Sequence, residues 1–438
     1  MEIPRNTYLH RLVERRHNGF IKVITGIRRC GKSFLLFNQF KRHLLEDGVK
    51  PSQIIEIALD EQRFESLRDP IALGEHLRSR IRGKGWKYVF IDEIQMCRKV
   101  LSPGVKLKRI APEDRKSAYI TFYDVLNELM HIPNVDVYVT GSNSRMLSSD
   151  IASNFGDRGD DVRLHPLGFS EFLAGSGLEK GEAWEQYLFW GGMPVILQKG
   201  TDDARRSYLQ SLFREVYFTD IVKRHRLSSG DLLENVTDVL FSSVGSLSNP
   251  TNIANTISSV QGHSTTQPTV SKHIAYLEDA FLVKGVKRYD VKGREYLDSP
   301  LKYYAEDIGL RNARLNFRQI EETHLMENVI YNELVARGCS VDVGVVPIVR
   351  RIDGQMTHRQ HEIDFVVNHG LKKIYVQSAF AIPDEDKRAQ ETLPLLNTGD
   401  FFRKIVVTSG FRPATSDELG IVYVGIIPFL LDSSILLG

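Results

Sequence analysis

FIKVITGIRRCGKSFLLF, residues Phe20 to Phe37, is the stretch on which the reading of this chain turns. Phe20, Ile21, Val23 and Ile24 form a short apolar run of the kind a buried parallel strand shows. The run stops at Gly26, and Gly26 to Ser33 fits G-x-x-x-x-G-K-[ST] at every fixed position. Phe34, Leu35, Leu36, Phe37 and Phe40 then open an apolar helix. Gly26 and Gly31 let the backbone curl so that successive N–H groups point inward at a triphosphate. The helix adds the positive end of its dipole. Lys32 supplies a point charge for the β- and γ-phosphates, and Ser33 a hydroxyl ligand for magnesium. Ile27, Arg28, Arg29, Cys30 and Phe34 complete the predicted nucleotide-binding set. A glycine turn ending in Lys-Ser by chance is the plain alternative, and the flanking strand and helix argue against it. ATP and Mg2+ are the expected ligands.

The second half of such a site is sought downstream. Lys87 to Gln95, KYVFIDEIQ, reads as an apolar strand closing on two carboxylates, a Walker B signature. If that strand lies beside the phosphate-loop strand, Asp92 stands behind the magnesium and Glu93 near the γ-phosphate. Glu93 is therefore the expected general base. Val135 to Ser144 is another strand ending in small polar residues, with Asn143 and Ser142 as candidates to orient the attacking water and helix capping as the plainer role. Arg158, in a glycine-rich turn, could reach a γ-phosphate in its own chain or a neighbour's; a surface arginine is about equally expected. Strands alternating with helices make residues 1–165 a doubly wound α/β P-loop domain with its ligand at the strand carboxyl ends.

The bulk composition sets bounds. A chain of 438 residues holds roughly two to four domains. Lys plus Arg number 57 against 55 Asp plus Glu, so any nucleic-acid surface must be a local patch. Three scattered cysteines argue against a disulfide framework. The amino terminus lacks an apolar leader and no stretch approaches a membrane span, so a cytoplasmic protein without membrane contact is expected. The basic loop Leu101 to Ser117 reads as solvated charge, with a partner contact as the minority reading.

Residues 166–231 read as a helical lid or spacer, broken at Trp190-Gly-Gly-Met-Pro194. Residues 232–310 read as a winged helix: a short helix at Ile253 to Ile257, a longer one at Thr269 to Leu282, then a ribbon from Val283 to Tyr296. In a DNA-reading version Ser271, Lys272 and His273 enter the major groove, and Lys287, Arg288, Lys292 and Arg294 meet phosphates. Packing between domains is an equal alternative, because Glu278 and Asp279 share the helix. Residues 311–438 form a further α/β unit with the order of a PD-(D/E)XK nuclease core, in which carboxylates hold a metal and a lysine aids the attacking water. Glu327, Glu362 and Asp364 are its acids, Gln377 stands in the second acidic place, and Ala379 stands where the lysine is expected. Those losses indicate a degenerate site, with rescue by Lys387 or Arg388 the lesser alternative.

Across nearly all of its length the chain resembles a prokaryotic family of predicted ATPases. These join an AAA-like P-loop domain to a carboxy-terminal domain of unknown function with a restriction-endonuclease-like core. The resemblance rests on Gly26–Ser33, Ile91–Gln95, Thr140–Ser144, Pro166–Phe172, Gly191–Pro194, Lys302–Arg311, Glu362–Phe365 and Tyr375–Gln377. It implies ATP binding, hydrolysis and an arginine following a glycine near Arg158; here Asp157 separates the two, and the long basic loop is a further departure. The leading expectation is a magnesium-dependent ATPase, with a homo-oligomer allowed. The alternatives are a slow ATP-switched DNA regulator and a metal-dependent nuclease using Asp364.

Overall fold

The computed structural model describes residues 2–142, 159–261, 265–352 and 355–437. The chain divides into two compact units, one over Pro4–Leu164 and one made of Met1–Ile3 with His165–Gly438.

The first unit is built on a five-stranded sheet of β1 (Ile21–Thr25), β2 (Ile54–Ala58), β3 (Lys87–Asp92), β4 (Val135–Gly141) and β5 (Gly159–Arg163). The order is β2-β3-β4-β1-β5 and every pair is parallel. The near-continuous apolar strands follow from that arrangement, since helices cover both faces. On one face Val23, Ile57, Val89, Ile91, Val137 and Val139 pack with Leu73, Leu77, Leu126 and Leu129 from two helices. On the other, Phe40 lies 4.7 Å from Tyr138 and 5.7 Å from Phe90, centroid to centroid. Lys22 is the charged exception in β1. It is fully buried and satisfied by Asp136 of β4, which also accepts from the Tyr138 hydroxyl at 2.8 Å.

The strand order corrects one expectation. β3 is not the neighbour of β1; β4 lies between them. The carboxylates at the end of β3 therefore meet the phosphate loop across β4, and the last residues of β4 become part of the site.

The second unit contains a nine-stranded mixed sheet. Its strands are β6 (Leu247–Ser248), β7 (Val283–Asp290), β8 (Glu295–Ala305), β9 (Ser340–Ile352), β10 (Gln355–His369), β11 (Lys372–Ser378), β12 (Arg403–Thr408), β13 (Thr415–Ser416) and β14 (Ile421–Gly425). The order is β13-β14-β12-β11-β10-β9-β7-β8-β6. The segments read as a winged helix and as a terminal α/β unit thus share one sheet, joined where β7 runs parallel to β9. Helix Glu322–Ala336 covers one face with Leu325, Met326, Val329 and Ile330 against Phe365, Val376 and Ile405. On the other face Leu395, from helix Glu385–Leu396, joins Ile363, Tyr375, Val406 and Tyr423. Among the described residues no helix is long and apolar enough to cross a membrane.

Candidate functional site

β1 delivers the chain to Gly26, where φ is +144° and an added Cβ would stand 2.0 Å from the Leu164 carbonyl oxygen. Only glycine fits both the angle and the space. Gly31, at φ +105°, makes the second turn and begins the helix over residues 32–46, which widens into a π-type turn at Leu35–Phe40. Ile27 and Cys30 are buried beneath the loop, whereas Arg29, Ser33 and Phe34 are exposed. The loop is held from below by Arg5, whose guanidinium donates to the Cys30 carbonyl at 3.1 Å while its backbone N–H reaches Gln39 at 3.2 Å. Arg5 carries no motif, so only its place in the fold reveals it.

Lys32 is 4% exposed and donates at 3.0 Å to the carbonyls of both Gly26 and Ile27. Its ammonium is thus inside the curl of the loop rather than in solvent. At the end of β3 Asp92 is buried and accepts from the Thr140 hydroxyl at the end of β4. The same hydroxyl oxygen accepts from the Glu93 backbone N–H at 3.1 Å. Glu93 has φ of 50°, a left-handed value uncommon for a residue with a side chain and costly enough to need such support.

The Glu93 carboxylate accepts from the Gln95 amide, and Ser142 Oγ lies 3.5 Å away. Gln95 also donates to Ser142 at 3.3 Å, and Arg28 Nε reaches the same hydroxyl at 3.2 Å. Burial raises the Glu93 pKa from its ordinary value, opposed by the charge of Lys32 and assisted by that of Asp92. Lys32, Asp92, Glu93, Ser142 and Arg28 therefore come together at the carboxyl ends of β1, β3 and β4. Ser33 offers an exposed hydroxyl at the helix start. That hydroxyl and the Asp92 carboxylate are the hard oxygen donors magnesium prefers, so the residues present fit the ion. Asn143 and Arg158 lie outside the described residues. Thr140 and Gln95 were missed as chemistry, although both stand inside stretches singled out in the sequence.

The winged-helix candidates fare unevenly. Lys272 and Arg294 are exposed and Ser271 is half-buried. His273 does not face a groove. It is 8% exposed, its Nδ1 lies 2.8 Å from the Thr269 carbonyl, and its ring packs against Tyr276. The helical period places it on the core side of Gln267–Asp279 with Val270, Ile274 and Leu277. Arg288 donates to Gln360 at 3.2 Å and Lys292 to the Pro347 carbonyl at 2.9 Å, so both tie β7 and its turn to β9 and β10.

In the terminal α/β segment Glu327, Glu362 and Asp364 surround one ammonium, that of Lys302 on β8. The distances are 2.8, 2.7 and 3.1 Å, and Lys302 is 3% exposed. Burial opposes its charge, yet the three carboxylates hold its pKa raised. Burial and Asp364 push the Glu327 carboxyl up to about 7, while Lys302 and the Tyr304 hydroxyl, 2.7 Å away, pull the other way. Gln377 accepts from the Asp364 N–H at 3.3 Å and donates to Glu391 at 3.0 Å. Lys387 and Arg388 do not rescue the centre. Lys387 pairs with Glu391 at 2.6 Å, and Arg388 reaches Tyr423 and Asp417. The lysine in the carboxylate centre comes instead from a strand far back in the chain.

Residues 18–173 match the family model described as an AAA domain, and residues 181–321 match a domain of unknown function (DUF8612). The second match ends before the strands that carry Asp364 and Gln377. An uncharacterized protein of Haemophilus influenzae is 29% identical over 429 residues, covering 96% of this chain and 97% of that protein. An uncharacterized protein of Methanocaldococcus jannaschii is 23% identical over 386 residues, covering 84% of this chain and 77% of that one. Among solved structures, a Walker-type ATPase of Pyrococcus abyssi is 15% identical with a TM-score of 0.46, covering 72% of this chain and 96% of that chain. The chain is thus one in which an AAA domain of the P-loop ATPase class precedes a domain of unknown function.

Proposed function

We propose that this protein binds ATP with magnesium and hydrolyses it in the first unit. The observation that carries the reading is the Thr140 hydroxyl, which joins Asp92 and the Glu93 backbone at the edge of a loop whose lysine is already turned inward. Gly26 to Ser33 cradle the phosphates with backbone N–H groups, and Lys32 exchanges its two carbonyl partners for phosphate oxygens. Ser33 and Asp92 hold the magnesium, which neutralises charge on the triphosphate. Glu93 takes the proton of the attacking water, and its raised pKa brings it nearer the range a base needs at neutral pH. Ser142 and Arg28 stand beside Glu93 and orient that water. The test is Glu93→Gln, which should retain ATP and slow turnover by roughly 10²–10⁴. An unchanged rate removes Glu93 from the role.

A second reading, an ATP-held switch with negligible turnover, is favoured by one contact. The Gln95 amide already occupies the Glu93 carboxylate. Gln95→Ala separates the two, because a faster rate means that the amide restrains an active base.

We further read residues 166–231 as a spacer, 232–310 as a winged helix and 311–438 as a nuclease-like segment closed by Lys302. A carboxylate centre filled by an ammonium has no place for the divalent ion a nuclease needs. Nucleotide state is then the signal and these segments its output. ATPase turnover measured with and without duplex DNA tests that coupling, and identical rates argue against a DNA client.

A further inference from the structure

Beyond the nucleotide site, the most distinctive surface is a ribbon that leaves the large sheet. β10 pairs with β11 only from Phe365 onward, and β9 pairs with β7 only over Val343–Val345. From Val346 opposite His361 out to Ile352 opposite Gln355, β9 and β10 pair with each other alone among the described residues. At about 3.4 Å per residue the two-stranded arm extends about 20 Å. Its strands bring Arg350, Arg351 and Arg359 to the arm against one acid, Asp353. Arg288 and Lys292 join its base through Gln360 and Pro347, and Arg294 adds an exposed cation in the same turn as Lys292. The whole chain is nearly neutral, so the concentration is local.

Charge is joined by exposed apolar groups where a soluble ribbon should be polar. Val349 is 46% exposed and Met356 65% exposed, and the period of two puts both on one face with His358 and Gln360. At the base the opposite face is packed, with Val346, Ile348 and Ile363 in a core cluster, which fixes the arm's root. A rooted two-stranded ribbon about 10 Å across its side chains fits the B-DNA major groove, about 12 Å wide. The groove of duplex RNA is too narrow to admit it. Arginine suits phosphate and guanine edges, and an exposed valine or methionine suits a thymine methyl.

We propose that the β9–β10 arm is a duplex-DNA interface, with Arg350, Arg351 and Arg359 as its main cations. It differs from the helix Gln267–Asp279 surface and does not depend on ATP hydrolysis. The experiment titrates the full-length chain into a fluorescein-labelled mixed-sequence DNA duplex at several KCl concentrations, with and without ATP. The triple variant Arg350→Ala/Arg351→Ala/Arg359→Ala should bind at least tenfold more weakly near 0.15 M salt. Its slope of log K against log salt should be shallower by up to about 3, since each lost phosphate contact removes about 0.9. Ser271→Ala/Lys272→Ala should stay within about threefold of wild type by the same logic of unchanged arm contacts. Basal ATP turnover of the triple variant without DNA should match wild type, showing that the variant is folded. A triple variant with wild-type affinity and slope overturns the proposal. So does equal loss of binding to anionic vesicles, or no binding of wild type to duplex DNA.

Discussion

Thr140 stands between two acidic residues: its hydroxyl oxygen takes the Glu93 backbone N–H at 3.1 Å and its proton goes to Asp92. One side chain from β4 thereby fixes both carboxylates that β3 delivers. Removing the hydroxyl leaves a buried carboxylate short of a donor and a strained backbone short of an acceptor, a loss of about 1–3 kcal/mol. Thr140→Val should therefore lower kcat by roughly 10–100-fold. Thr140→Ser should stay within a few-fold, because the hydroxyl survives. Steady-state turnover of the two variants, beside a nucleotide titration showing near-equal affinity, checks this.

The acid limb of turnover should report Glu93. Its pKa is raised by burial, so the base form is lost at a higher pH than for an ordinary carboxylate. As pH falls through that raised value kcat should drop, and above it kcat should level off. In Glu93→Gln the residual rate should lose this limb. A limb unchanged in the variant assigns the titration elsewhere.

Lys302 is the only cation touching the three carboxylates of the terminal segment among the described residues. Lys302→Met leaves buried charge without a partner and should destabilise the protein by about 3–5 kcal/mol. Adding Glu327→Gln and Asp364→Asn should recover part of that loss, since the surplus charge goes with them. Chemical denaturation of the single and triple variants measures both effects. A single variant as stable as wild type shows that the carboxylates are already neutral.

How much of this was legible beforehand depended on how local the chemistry was. A phosphate loop writes itself into eight consecutive residues, because two glycine conformations, one ammonium and one hydroxyl must all come from the same turn. Gly26, Gly31, Lys32 and Ser33 could thus be read directly. Asp92 and Glu93 could be read because an apolar strand ending in two acids is unusual. The insertion of β4 between β1 and β3 could not, since parallel order leaves no trace in any one strand. Thr140 was hidden with it. Lys302 was quoted for resemblance alone, because its three partners lie 25 to 62 residues further along and only folding collects them. His273 misled because a histidine beside Ser-Lys looks exposed until the helix is turned to its buried face.

The most direct measurement is retention of labelled ATP by the purified full-length protein with magnesium, for wild type and Lys32→Ala. The cradle requires saturable binding of one nucleotide per chain. That binding should be lost in Lys32→Ala while circular dichroism and the melting transition stay unchanged. Equal retention by the two proteins, or none by wild type, would contradict it.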